Sequence, residues 1–391
     1  MSNKLVVGQI GCGAFARDQH GPNCRANKHV TGIKWACDTS PENARTYARE
    51  FGVDKVTGSF EDVTTDPEVD LICIATSHEA HVPIIESAAE HGKHVFCEKP
   101  MALDEQQAYR IIRAVRRARV KLCVDYMRRL APATRALKHE WLAHKANPQR
   151  QPWRYIEKPR ERLAEEKATD FMVRVQDESS SYRTVHLDPF RGGGLIIGEA
   201  THWLDLACWL YDDDRPVEIL AWGSARMRYG IHLAFQSGNE ATIVMTPNGT
   251  FDYPKEIFEI ACDGALFRME NYLENQYYGR PGTMREVFHL HRDAAPQVGT
   301  QGGLGGYLDK YRANVSSATN SKHVREGLAP DLGWQKMFDA FVDSIVRNSA
   351  TPCDELAGYH ATLLGELAIK SLQLGRPLAV PVDKWNYYVE L

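Results

Sequence analysis

Short apolar runs separated by amphipathic stretches organise the first third of the chain. Leu5-Val6-Val7-Gly8-Gln9-Ile10 reads as a strand, and Ile33-Lys34-Trp35-Ala36-Cys37 as a second. Val69 to Thr76 is almost continuously apolar, as a strand buried on both faces of a parallel sheet should be. Helical spacing follows over about Ala80 to His91, and then the short strand His94-Val95-Phe96-Cys97. A further helix is predicted from about Asp104, a good capping residue, to Arg119, and Lys121-Leu122-Cys123-Val124 closes the pattern. Strand and helix in alternation predict a parallel sheet covered on both faces, with ligand chemistry at the carboxyl ends of its strands. Those ends carry residues 11–16, Asp38, Thr76-Ser77-His78, Glu98-Lys99-Pro100 and residues 125–129. Further along, Thr201 to Tyr211 has the spacing of an amphipathic helix.

Composition narrows the class. With 391 residues the chain can form two domains, each with its own core. The 47 basic and 51 acidic residues leave a net charge of −4, which gives no electrostatic steering toward nucleic acid or a membrane surface. No apolar run reaches the length of a membrane span, and Met1-Ser2-Asn3-Lys4 enters the first strand without the pattern of a secretory leader. Nine scattered cysteines form no C-x-x-C pair, and Cys37, Cys73, Cys97 and Cys123 fall in predicted strands, where cysteine acts as a small hydrophobe. A reducing cytoplasm is the expected setting.

The candidate chemistry begins at Gly11-Cys12-Gly13-Ala14-Phe15-Ala16, a G-x-G-x-x-A turn between strand and helix. Gly11 permits the tight turn, Gly13 holds no side chain against a pyrophosphate, and Ala16 allows close packing of helix on strand. Asp38 ends the second strand, where a carboxylate can take both hydroxyls of an adenosine ribose and would repel a 2′-phosphate, so NAD is expected over NADP. Lys99, pinned by Pro100 after a strand, is suited to polarising an alcohol oxygen or passing its proton. His202 opens its helix with Asp205 one turn on; it reads as a general base, or else as a helix-face histidine bonded to Asp205. Gly192-Gly193-Gly194 suggests a backbone close to a ligand, or a flexible loop.

The middle of the chain is basic, with Arg150, Arg154, Lys158, Arg160, Arg162, Lys167, Arg174, Arg183 and Arg191, interleaved in part with Glu157, Glu161, Glu165 and Glu166. It reads first as a solvated, ion-paired excursion, and second as a source of arginines that join Arg128 or Arg129 to clamp an anionic substituent. A second insertion, about Thr283 to Glu326, contains Gly302-Gly303-Leu304-Gly305-Gly306, read as a mobile loop or a subunit-contact arm. His289 and His291 alternate, but no third ligand stands at metal spacing, so no metal site is expected. Asp212-Asp213-Asp214 reads as a solvated turn.

Glu98-Lys99-Pro100 at a strand end, after G-x-G-x-x-A and Ala75-Thr76, resembles the glucose–fructose oxidoreductase, inositol dehydrogenase and rhizopine catabolism family (Gfo/Idh/MocA). The resemblance continues through Tyr126-Met127-Arg128-Arg129, Asp188-Pro189, the triple glycine, His202-Trp203-Leu204-Asp205, Phe341 to Ile345 and Ser371 to Pro377. It implies an α/β protein with an N-terminal Rossmann dinucleotide-binding domain (1–128) and a C-terminal α/β domain (129–391) built on a large, mostly antiparallel open sheet. One face of that sheet would carry the substrate and the other subunit contacts, in a homodimer or homotetramer. The cofactor would be held by Gly11, Gly13, Ala14, Phe15, Ala16, Asp38, Thr76, Ser77, His81, Glu98 and Lys99, the substrate by Lys99, Arg128, Arg129 and His202, and catalysis carried by Lys99 and His202.

The chain departs from the family's usual pattern of an aspartate four residues before the histidine and a glycine two before it. Gly198 and Ala200 stand there, and Glu199 is the candidate acid, as in a Gly-Glu branch of the family. The expected reaction is hydride transfer between the nicotinamide of NAD and a ring hydroxyl of a sugar, sugar derivative or cyclitol. The alternative is an NAD-dependent glycosidase that oxidises C3 transiently, eliminates the aglycone, adds water and restores the alcohol, with an anionic sugar such as a sulfonated glycoside as its candidate substrate. A third reading is a non-catalytic NAD-binding sensor. The partner expected is a small carbohydrate, with no nucleic acid or membrane.

Overall fold

The computed structural model describes residues 4–148, 168–177, 187–188, 191–212, 214–225, 227–282, 284–290, 303–317 and 328–386. Its first sheet is parallel throughout, with strands β1 (Leu5–Ile10), β2 (Thr31–Cys37), β3 (Lys55–Thr57), β4 (Leu71–Ile74), β5 (His94–Cys97) and β6 (Leu122–Val124) in the order β3-β2-β1-β4-β5-β6. The chain runs outward from β1 in one direction and from β4 in the other. The crevice outside their carboxyl ends is therefore the switch point at which such sheets bind ligands. The helices His81–Glu90 and Glu105–Ala118 match the apolar spacing, and Asp104 caps the latter by accepting the Gln107 amide at 2.8 Å. The run between Asp38 and Val69 adds a helix at Pro41–Phe51, the edge strand β3 and a short helix at Phe60–Thr64, which the hydrophobic pattern alone leaves undefined.

One local feature departs from the expected helix after the glycine turn. Residues Ala16–His20 form a wide π-turn before the α-helix Gly21–Ala26 begins. The extra residue in that turn swings His20 inward, where it is fully buried between Phe15 and Phe96, with ring centroids 5.9 and 5.6 Å away. Such bulges within helices cluster at functional sites.

The second sheet has nine strands. They are β7 (Asp170–Gln176), β8 (Pro216–Gly223), β9 (Tyr229–Phe235), β10 (Glu240–Thr246), β11 (Glu256–Cys262), β12 (Ala265–Glu270), β13 (Glu274–Tyr278), β14 (Arg285–Val287) and β15 (Leu378–Ala379). Their order is β14-β13-β12-β11-β7-β10-β9-β8-β15, antiparallel except for the parallel pair β7/β10. Alternation decides the faces: Phe171, Val173 and Val175 of β7 are buried, while Asp170, Met172 and Arg174 are exposed. The helices Thr201–Leu210 and Glu355–Leu374 pack together on the inner side, the latter also against β8. The helix Trp334–Val346 returns to the first domain, where Phe338 and Phe341 meet Phe96 at 5.3 and 5.9 Å.

The glycine-rich run is a correction. Residues Gly303–Ser317 form a helix, because Leu304, Tyr307, Leu308 and Tyr311 fall at i, i+3, i+4 and i+7 and place an apolar stripe against Leu273, Leu290 and Leu328. Gly302, His291, Asp213 and most of the basic middle (Arg150, Arg154, Lys158, Arg160, Arg162, Lys167 and Arg183) lie outside the described residues. Arg174 is exposed on the outer sheet face beside the Tyr253 ring, and Arg191 pairs with Glu79. Among the described residues, no helix is long and apolar enough to cross a membrane.

Candidate active site

The cofactor end is built by β1 and β2. Gly11 adopts φ +83°, and a Cβ there would stand 2.3 Å from the Ala75 carbonyl oxygen, so the turn tolerates only glycine. A Cβ on Gly13 would meet nothing within 4 Å, which leaves open space over the turn for a pyrophosphate. Asp38 is fixed at the end of β2: its Oδ2 accepts the Cys12 amide at 2.8 Å and its Oδ1 the Ser40 amide at 2.7 Å. Ala16 is buried against Tyr47 and Ala36, while Ala14, Phe15 and Ser77 are exposed at the rim and Thr76 is half-buried. These residues fit a dinucleotide with free ribose hydroxyls. His81 does not reach the crevice, contrary to expectation. It is fully buried, with Nδ1 2.9 Å from the Pro100 carbonyl, and so backs the turn that carries Lys99.

The candidate reaction centre lies where that turn meets the second domain. Lys99 Nζ donates to the Gly198 carbonyl at 2.8 Å and to Glu199 Oε1 at 3.0 Å. Glu199 is presented by a second π-turn, Ile196–Ala200, directly before the helix Thr201–Leu210. A Cβ on Gly198 would press on the Gly192 carbonyl at 3.2 Å, and Gly192 is itself held by His78 Nδ1 at 3.0 Å. A side chain at 198 would crowd that carbonyl, whereas Glu199 has room to reach Lys99. Burial pushes the Glu199 carboxyl up, but Lys99, then Lys255 and Arg128, outweigh it and hold it down at about 2. It is ionised at neutral pH.

His202 follows on the same helix, almost fully buried. Its Nδ1 is enclosed with no hydrogen-bond partner among the described residues. Asp205 does not serve it; that carboxylate faces Arg129 instead. Burial, reinforced by the positive charges of Arg128, Lys99 and Lys255, holds His202 well below the usual imidazole range. A neutral imidazole is ready to accept a proton.

Arg128 and Arg129 require a correction, since neither guanidinium has its fork free for a substrate anion. Arg128 gives Nε to Glu256 Oε2 at 2.9 Å and Nη2 to Oε1 at 2.5 Å, and the same carboxylate accepts Trp203 Nε1 at 3.1 Å and the Tyr272 hydroxyl at 2.5 Å. Arg129 grips Asp205 through Nε at 2.8 Å and Nη2 at 2.6 Å. These acids come from β11 and from the helix bearing His202, so the two arginines clamp the second domain to the end of the first. The sequence reading also passes over Lys255, whose Nζ lies 2.6 Å from Asp177 Oδ2 beside the same centre. It passes over Gln9 and His20 as well, which with Glu98 and Asp125 form a buried polar group behind Lys99.

Residues 5–126 match the Gfo/Idh/MocA oxidoreductase family, described by its NAD-binding Rossmann fold. This NAD-binding domain therefore carries the G-x-G-x-x-A turn, Asp38 and Lys99. Over its whole length the chain is 23% identical across 388 residues to the uncharacterized oxidoreductase YrbE of Bacillus subtilis, covering 97% of this chain and 98% of that protein. It is 32% identical across 139 residues to inositol 2-dehydrogenase of Burkholderia ambifaria, or 34% of this chain and 40% of that one. A solved levoglucosan dehydrogenase in complex with NADH and L-sorbose superposes with a TM-score of 0.73 at 19% identity, covering 97% and 99% of the two chains. That likeness establishes the fold of both domains: a Rossmann domain joined to a large, mostly antiparallel sheet.

Proposed function

We propose that the chain is an NAD-dependent dehydrogenase or reductase acting on a ring hydroxyl of a sugar, sugar derivative or cyclitol. The observation that carries this reading is the contact of Lys99 with Glu199, three residues before the enclosed His202, at the carboxyl end of the NAD-binding sheet. Bound nicotinamide supplies the hydride acceptor or donor. Glu199 and the Gly198 carbonyl orient the Lys99 ammonium, which polarises the reacting oxygen. His202 takes the hydroxyl proton in the oxidative direction and returns it in the reductive one. Inositol and levoglucosan dehydrogenases among the similar proteins support this substrate class.

The charge pattern favours an uncharged substrate over an acidic one. Lys99 is matched by Glu199, Arg128 by Glu256, Arg129 by Asp205 and Lys255 by Asp177. An anionic substituent would find no surplus positive charge among these described groups. The deciding assay pairs NAD with free sugars, cyclitols and their aryl glycosides, neutral and acidic, reading NADH and released aglycone together. NADH formed in step with consumption of a neutral polyol is expected. Aglycone released over many turnovers per NAD, without net NADH, would replace the dehydrogenase by the redox-neutral glycosidase.

The state of His202 sets a pH dependence. Its conjugate acid is destabilised by burial and by neighbouring cations, so the neutral base persists below the pH at which a free imidazole protonates. In the oxidative direction kcat/KM should show no acid limb near about pH 6.5. A limb there that disappears in His202→Asn would contradict this protonation state.

Assembly through the outer face of the second sheet belongs to the same reading. Met172 and Val244 are 51% and 39% exposed there, on the adjacent strands β7 and β10. Light scattering should give a dimer or tetramer. Met172→Glu combined with Val244→Glu should shift it toward monomer, whereas an unchanged mass would place the contact elsewhere.

A further inference from the structure

Glu98 and Asp125 stand side by side because Cys97 of β5 is in register with Val124 of β6, and each acid is the next residue along. His20 joins them from the π-turn, its Nε2 3.0 Å from Glu98 Oε1, and one ligand atom from each of the three lies within 4.8 Å of the others. All three side chains are buried, and Asp125 Oδ1 has no hydrogen-bond partner among the described residues. Three such groups in an apolar setting cannot all carry their solution charges.

The hydrogen bonds fix the donor at Nδ1, and the enclosure of His20 between Phe15 and Phe96 favours the uncharged ring. Gln9 Nε2 donates to the Gly11 carbonyl at 2.9 Å and lies 3.4 Å from that of Ile10, so reversing the amide would set oxygen against oxygen. Gln9 Oε1 therefore faces His20 Nδ1 at 3.3 Å, and Nδ1 must be the donor. A neutral imidazole then presents a bare Nε2, which makes a hydrogen bond with Glu98 only if Glu98 supplies the hydrogen.

We propose that His20 is a neutral Nδ1–H imidazole and that Glu98, paired with Asp125, holds a proton at neutral pH, so that a chain from Gly11 through Gln9 and His20 to Glu98 ties the dinucleotide turn to the turn bearing Lys99. Glu98 is then a positioning residue, and Glu199 alone supplies the carboxylate that Lys99 contacts. The groups facing Glu98 are His20 from the π-turn, Asp125 from the end of β6 and Lys99 beside it. Burial lowers His20 to about 4 and raises both acids, Glu98 to about 7 and Asp125 well above its usual range beside the Glu98 charge, so the carboxyl pair retains a proton between its two members. Between about 4.3 and about 7 the folded chain keeps a Glu98 proton that the unfolded chain has lost, while between about 4 and about 6.5 the unfolded chain holds a His20 proton that the folded chain lacks. The Glu98 contribution falls as pH rises through its window and the His20 contribution grows through its own, so the two offset each other over most of the range.

The protonation state stands apart from the substrate reading, whereas the positioning of Lys99 rests on it, and the tests separate the two. Nitrogen-15 shifts of His20 in the wild-type protein at about pH 7 should report the neutral Nδ1–H tautomer. Infrared spectra should show a carboxylic-acid C=O band that Glu98→Gln removes. That carboxamide can still donate to His20, so E98Q should bind NADH within about threefold of wild type, while Glu98→Ala, which leaves the imidazole unsatisfied, should weaken NADH by about tenfold or more. E98Q removes the contribution that falls with pH and leaves that of His20, so stability should rise more steeply between about pH 5 and 6.5 than in wild type. An imidazolium signal, no acid band, E98Q as weak as E98A, or a stoichiometric divalent cation held by these three residues would each overturn the proposal. Normal NADH binding by E98Q without turnover would count against the positioning of Lys99 and leave the protonation state standing.

Discussion

Lys99→Met is expected to lower turnover by about 10³-fold while weakening NADH by no more than about tenfold. Methionine keeps the length and apolar stem of the side chain but removes the ammonium. That ammonium is fixed by two acceptors on one short segment, the Gly198 carbonyl at 2.8 Å and Glu199 Oε1 at 3.0 Å. A cation so constrained cannot follow a substrate; the substrate oxygen must come to it, which is the condition under which a preorganised charge contributes most to the barrier. Loss of the lysine also leaves Glu199 enclosed without its nearest counter-charge, so its carboxyl should rise from about 2. Glu199→Gln tests the same contact from the other side and should cost less, because the amide can still accept from Lys99. Equal turnover in wild type and K99M, with NADH still bound, would take the chemistry away from this centre.

How far the sequence led is clearest along the first domain. Every strand marked by a nearly continuous apolar run was legible, since a strand buried on both faces has no alternation to disguise it. Residues 41–64 were not, because β3 has only 3 residues at a sheet edge and one of its neighbouring helices only 5. Lys99 and Glu199 are brought into contact, with His202 three residues further on, yet nothing in their spacing announced the two π-turns. An inserted helical residue leaves no compositional mark, although it sends His20 into the core and Glu199 toward Lys99. Arg128 and Arg129 show the opposite error. An arginine near a predicted site reads as a free anion receptor, and only the fold reveals Glu256, 128 residues away in sequence, and Asp205, 76 away. Long-range pairing of charges is invisible to periodicity. The glycine-rich run at 303–306 misled for a simpler reason: Leu304, Tyr307, Leu308 and Tyr311 held a helical stripe that composition alone obscured.

Glu256→Ala should destabilise the fold by about 3–5 kcal/mol, read as a lower midpoint in urea or guanidinium. Glu256 is the hub of the domain junction. One carboxylate accepts both arms of Arg128, the Trp203 indole and the Tyr272 hydroxyl, all of them buried. Its removal leaves a guanidinium in the interior without a counter-ion and two donors without acceptors, and the apolar walls offer nothing in exchange. Glu256→Gln should cost less than alanine, because one oxygen remains to accept, although the new amide NH2 then faces a donor where a carboxylate oxygen accepted. The sharper comparison is the double replacement of Arg128 and Glu256 by methionine. If the cost of the single change is the stranded cation, taking both charges away should recover much of the stability. It should not recover activity. Trp203 adjoins His202 on the same helix and would lose the bond that fixes its ring, and Arg128 is one of the cations that keep His202 neutral. Stability restored with turnover still low would separate the two tasks of this ion pair, joining the domains and setting the state of the base. A single-variant loss below about 1 kcal/mol would instead mean that water reaches Arg128 and that the junction is held by apolar contact.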